Sequence, residues 1–152
     1  MGRFSQSDDA RILYAEVFAV LLRRNGELVL SHGLILFGHG SRDPEWARPL
    51  REVAAQVAAG EGAPQVELAF LEFLEPTLEQ ACDRLAAAGV TRIAVLPMFI
   101  AQSGHVRRDL PAQLDAARAR HPSLRIDLAV AVGEDPRVQA VMAEVARSAL
   151  AG

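Results

Sequence analysis

The chain has 152 residues, enough for one domain with a buried core, and 51% of them are hydrophobic, which excludes a chain disordered by composition. The formal net charge is −3 with acids and bases interspersed, and no basic run or basic-aromatic patch points to nucleic acid. A single cysteine, Cys82, rules out an intrachain disulfide framework and suits a reducing compartment. Charges interrupt the apolar stretches within about ten residues, too short to span a bilayer, and the N-terminus lacks the pattern of a signal peptide. A cytoplasmic protein with neither membrane nor nucleic-acid partners is therefore expected.

Residues 1–32 stand apart as an extension, and residues 33–152 read as the domain proper. Ile12, Leu13, Val17, Val20 and Leu21 give the stretch 9–23 a helical period, and "RRNGE" after it reads as a turn. A docked helix and a loosely held extension both fit this pattern, and "LVLSH" either lengthens the first strand or forms a small one of its own.

From residue 33 the pattern alternates. "LILFG" (34–38) is a continuous apolar run ending in glycine, the mark of a strand buried on both faces. The stretch 43–60 opens with Asp-Pro and closes with Gly, a helix whose inner stripe is Trp46, Leu50, Val53 and Val57. A second strand is expected over 65–73. The next helix, 75–90, has Pro76 near its first turn and Gly89 past its end. A third strand covers 92–100, a third helix 106–121 with its start blurred by Pro111, a fourth strand 124–132 and a last helix 135–150. Cys82, between Leu78 and Leu85, reads as a small core residue. His32 ahead of the first strand and His121 before Pro122 read as surface residues.

Alternating strands and helices with near-continuous apolar strands predict an α/β fold: an open parallel sheet flanked by helices on both faces, a three-layer α/β/α sandwich of one lobe. Ligands of such sheets bind beyond the carboxyl ends of the strands. Three strand ends carry metal-capable residues at equal sequence spacing: His39 after the first, Glu72 at the end of the second and His105 after the third. Two imidazoles and a carboxylate on one rim suit a divalent transition metal, and the same groups can move protons near neutral pH. Spacing alone leaves a second reading open, in which a turn histidine caps a loop and Glu72 is a solvated acid.

Other motifs fail. Gly38-x-Gly40 lacks the third glycine of a dinucleotide fingerprint because position 43 is Asp, and no P-loop is present. Ser41 near His39 lacks the Gly-x-Ser-x-Gly elbow of a hydrolase and reads instead as a cap for the turn or the following helix.

"LILFGHGSRDP", "FLEFLEPTLEQACDRLAAAGVTRIAVLPMFI" and "SGHVRRDLP" together resemble the short sirohydrochlorin chelatases of the CbiX type, over about Gly33 to Ala149. The resemblance implies the class II chelatase fold and a metal-handling pair formed by His39 and His105, with Glu72 as the acid of the site. It further implies insertion of a divalent metal (Co²⁺ first, Fe²⁺ or Ni²⁺ otherwise) into sirohydrochlorin with release of two protons. The metal is a substrate and no organic cofactor is expected. Arg42, Ser41, Gly104 and Arg107 are expected to meet the substrate, the arginines through its carboxylates. The apolar rim residues Leu74, Met98 and Phe99 are read first as core. Larger relatives contain two such lobes around a tetrapyrrole cleft, so a one-lobe chain is expected to pair as a homodimer. A non-catalytic metal or tetrapyrrole carrier using the same rim is the alternative reading.

Overall fold

A computed structural model describes residues 32–101 and 104–150, the side chain of His105 excepted. The helix expected over 9–23 lies outside these residues. Four parallel strands form one sheet in the order β2-β1-β3-β4: β1 (His32–Gly38), β2 (Gln65–Phe70), β3 (Arg92–Pro97) and β4 (Arg125–Leu128). The helices between them are α1 (Arg48–Ala58), α2 (Leu78–Ala87) and α3 (Gly104–Arg120), and α4 (Pro136–Ser148) follows β4. The expected open parallel α/β architecture is thus observed.

Register explains the core. Leu36 of β1 lies beside Leu68 of β2 and Leu96 of β3, so all three project to one face, and Ile35 and Phe37 project to the other. Connections between parallel strands are right-handed. β1 therefore reaches β2 with α1 on one face, whereas the return past β1 to β3 and on to β4 puts α2 and α3 on the other. The second face holds the main core, where Ile35, Phe37, Ile93 and Val95 meet Leu78, Cys82 and Leu85 of α2 and Leu110 and Leu114 of α3. Cys82 is fully buried as expected; burial, reinforced by the charges of Asp83 and Glu79, pushes its thiol up to about 11.

The helices begin where the chain supplies caps. Asp43 accepts the Glu45 amide and starts a short 3-10 turn, Pro44–Ala47, that runs into α1. The helix expected over 75–90 begins later, because Thr77 and Gln80 form a reciprocal capping box; Pro76 lies ahead of the cap. α4 starts on Asp135, whose carboxylate takes both the amide and the guanidinium of Arg137, and the hydrogen bonds hold it down at about 2.

Several expectations are corrected. The second, third and fourth strands end early, at Phe70, Pro97 and Leu128, because the apolar residues beyond them turn into the rim. α3 begins at Gly104 and continues through Pro111, which has no amide to offer the Arg107 carbonyl. Val106, Leu110, Leu114 and Ala117 are all buried on one stripe, and this packing outweighs the missing bond. The inner stripe of α1 is only partly covered: Leu50 and Val57 are half-buried, while Trp46 and Val53 remain more than a third exposed. His32 is the half-buried first residue of β1 rather than a surface residue ahead of it. His121 is also half-buried, with Nε2 2.6 Å from Asp83 Oδ1, and Arg120 joins Asp83 and Glu79 in the same α2–α3 cluster. This hydrogen bond from His121, more than any other influence, keeps the Asp83 carboxyl below its usual range. Among the described residues, no helix is long and apolar enough to cross a membrane.

Candidate functional site

The carboxyl end of β1 is the centre of the rim, flanked by β2 and β3. Connections leave it in opposite directions at this point, the position at which open α/β sheets bind ligands. His39 is the first residue beyond β1. Its imidazole is backed by the Phe99 ring, edge-on with centroids 5.6 Å apart, and Phe99 in turn meets Phe37 at 5.9 Å. A column of aromatic rings therefore runs from the core to the imidazole and limits its rotation.

Glu72 reaches His39 because the backbone carries it there. Past the last paired residue of β2, two successive amides bind the β1 tip: Leu71 N–H to the Gly38 carbonyl and Glu72 N–H to the His39 carbonyl, each at 3.0 Å. A regular strand would send alternate amides that way, so the pair marks the place where the ladder folds into a turn. The outcome is a His39 Nδ1 to Glu72 Oε1 separation of 3.5 Å, longer than a good hydrogen bond but within ion-pairing range. Both side chains remain accessible, at 37% and 48% exposure, so an incoming ligand can reach them. A carboxylate facing Nδ1 favours a proton on that nitrogen and leaves the Nε2 lone pair as the donor of the ring.

Gly40 makes this approach possible. Its φ is +90°, and a Cβ there would overlap the Glu72 carbonyl oxygen. Gly38 serves the tip from below: a Cβ would lie 2.8 Å from Leu50 of α1. Ser41 caps the turn, its Oγ accepting the Asp43 amide at 3.1 Å. Arg42 is exposed, with its guanidinium carbon 5.1 Å from the centroid of the Phe73 ring.

His105 stands in the first turn of α3, behind Gly104, and not in a loop ahead of the helix as the sequence suggested. Arg107 and Arg108 follow it and are exposed. The structure thus brings His39, Glu72 and Arg42 together and puts Gly104, His105 and Arg107 at the start of the helix that leaves the β3 edge of the same rim. Among the described residues, which exclude the His105 side chain, no group of three His, Cys, Asp or Glu side chains is placed to hold a metal ion.

Two rim residues escaped the sequence reading. Phe73 is 56% exposed and Ile100 is 72% exposed, whereas the sequence pattern puts them at the ends of the second and third strands. Phe73 lies in "AFLEFL", apolar but for Glu72, and Ile100 closes "LPMFI"; such runs do not reveal where a ladder stops. Phe99 is core, as expected, while Leu74 and Met98 are half-buried.

The parallel sheet with helices on both faces is a chelatase-like α/β sandwich, the architecture of the solved structures this chain resembles. The profile of the CbiX family matches residues 33–149, and the chain belongs to that family. It is similar to the sirohydrochlorin cobaltochelatase of Sulfurisphaera tokodaii, with 33% identity over 115 residues, 74% of this chain and 89% of that protein. To the sirohydrochlorin ferrochelatase of Bacillus subtilis it is 29% identical over 109 residues, 72% of this chain but only 42% of that protein. The chain thus spans less than half the length of this relative and most of the other. Among solved structures, the putative cobalamin biosynthesis CbiX protein of Marinobacter aquaeolei superposes with a TM-score of 0.68 at 32% identity, covering 78% of this chain and 97% of that one.

Proposed function

We propose that the protein inserts a divalent metal into sirohydrochlorin with release of the two pyrrole protons, taking Co²⁺ first and Fe²⁺ as the alternative. The observation that carries this reading is the His39–Glu72 pair, held accessible at the carboxyl rim of a CbiX-family sheet. His39, Glu72 and His105 are the groups that receive the ion. Imidazole and carboxylate bind borderline divalent ions and release them again, as insertion requires; a thiolate cage would hold them too firmly. Cys82, the one thiol, is buried in the core. Glu72 stabilises positive charge on or beside His39, whether it arrives as metal or as a proton taken from a pyrrole nitrogen. Arg42 and Arg107, with Ser41 and Gly104, meet the carboxylate-bearing periphery of the macrocycle. In support of cobalt, this chain covers 89% and 92% of two relatives named cobaltochelatase, against 42% of the Bacillus subtilis relative named a ferrochelatase.

The test is an anaerobic absorbance assay with sirohydrochlorin and Co²⁺, Fe²⁺ or Ni²⁺ in turn. Conversion faster than the uncatalysed reaction is expected and ranks the metals. Binding of metal or tetrapyrrole without conversion would make the protein a carrier.

Two copies pairing as a homodimer would complete a cleft around the substrate. α4 supports this reading: it buries no residue, and Val141 and Val145, one turn apart, are 58% and 64% exposed. Leu128 and Val130, at the end of the edge strand β4, are also exposed. Exposed apolar residues of this kind mark association surfaces. Sedimentation at micromolar concentration should give a dimer, and Val141→Asp with Val145→Asp should give a folded monomer of reduced activity. A monomeric wild-type chain would sink the pairing.

A further inference from the structure

The proposed reaction puts a broad, flat tetrapyrrole on the rim, and two observations single out a residue to receive its face. The first is backbone geometry. Phe73 has φ of +64° and is the one non-glycine residue with positive φ among the described residues. The Leu74 amide bonds the Glu72 carbonyl at 2.8 Å, so Phe73 sits at the centre of a three-residue γ-turn of the rarer, strained hand. An aromatic residue is a poor occupant for that conformation, which glycine, asparagine and aspartate tolerate better. Strained positions of this kind gather at ligand sites.

The second is where the side chain goes. Strain is ordinarily offset by burying the side chain, but here the ring is 56% exposed. It follows Glu72 directly, and Arg42, from the loop after β1, places its guanidinium over the ring at 5.1 Å. A cation–π contact of this type fixes an exposed ring and keeps a charge beside it for pairing with an anion. Across the β1 tip, Ile100 beyond β3 is 72% exposed, its backbone held close above Gly133. Exposed apolar side chains therefore stand beyond both strands that flank His39.

We propose that Phe73 and Arg42 form a substrate-positioning subsite, the ring receiving the apolar face of the tetrapyrrole and the guanidinium pairing with one of its peripheral carboxylates. This rests on the chelatase reading and adds the residues that orient the macrocycle over His39.

The experiment is steady-state kinetics of the full chain with sirohydrochlorin at saturating metal, beside thermal unfolding, for wild type, Phe73→Gly, Phe73→Asn and Phe73→Tyr. Glycine and asparagine accept positive φ, so their Tm should equal or exceed that of wild type. Their KM for sirohydrochlorin should rise about 10-fold, while the KM for metal stays unchanged. Phe73→Tyr should keep the wild-type KM, and Arg42→Gln should raise KM less in Phe73→Gly than in wild type. Unchanged sirohydrochlorin KM in Phe73→Gly and Phe73→Asn would overturn the subsite alone. A lowered Tm in both, with both KM values raised alike, would make Phe73 structural and overturn it equally. A wild-type chain that neither binds nor converts sirohydrochlorin would overturn the functional reading and the subsite with it.

Discussion

Replacing His39 by alanine is expected to slow metal insertion into sirohydrochlorin at least about 100-fold, the range of a lost ligand or proton-transfer group. Stability should hardly change. The imidazole is 37% exposed, and polar and ring contacts at so exposed a site are small stabilising terms. Thermal unfolding of the variant should therefore stay within a few degrees of wild type, about the effect of 1 kcal/mol in a chain of this size. The loss should fall on kcat at saturating metal and on metal affinity together if, as proposed, the imidazole meets both the ion and the departing proton. His105→Ala serves as the companion variant. Initial rates under anaerobic conditions decide the matter: a folded His39→Ala protein that kept more than about a tenth of the wild-type rate would remove His39 from the chemistry.

Gly40→Ala should do the reverse and damage fold and site together. At φ of +90° an alanine bears the cost of a left-handed backbone, about 1–2 kcal/mol. Its Cβ also overlaps the Glu72 carbonyl oxygen, so one of the two segments must move. Movement breaks the bond from the Glu72 amide to the His39 carbonyl, worth about another 1 kcal/mol, and separates the two side chains. A loss of about 3 kcal/mol is expected, or a Tm lower by about 6–12 °C in a chain of this length, with activity largely lost in the protein that remains folded. Gly89→Ala is the control. Gly89 also has positive φ, +82°, but nothing lies within 4 Å of a Cβ there. It should show the backbone cost alone and keep full activity. Urea titration and initial rates below both unfolding transitions read the difference; equal effects of the two substitutions would deny Gly40 its part in placing Glu72.

The candidate site divides in the same way. The positions of His39, Glu72 and His105 after successive strands could be read from the alternation, because parallel strands joined by helices bring equivalent ends to one rim. The approach of Glu72 to His39 could not. It depends on two amides of 71–72 finding carbonyls on the β1 tip and on a glycine that lets the chains touch. The exposure of Phe73 is hidden in the sequence for a related reason: "AFLEFL" is apolar but for Glu72, and a run of that kind reads as strand until the ladder partners are known.

By itself the sequence determined what local chemistry controls: which runs become strands, which residues cap the helices, and where glycine permits a turn. Those outcomes rest on neighbours within a few residues, as the apolar run of β1, the Thr77–Gln80 box and the Asp135 cap show. Only the tertiary structure decided the strand ends, the continuation of α3 through Pro111, the engagement of His121 with Asp83, the incomplete cover of α1 and α4, and the exposure of Phe73 and Ile100. Each of these turns on a hydrogen-bond partner or packing surface supplied by a distant part of the chain, and no local pattern encodes which partner arrives.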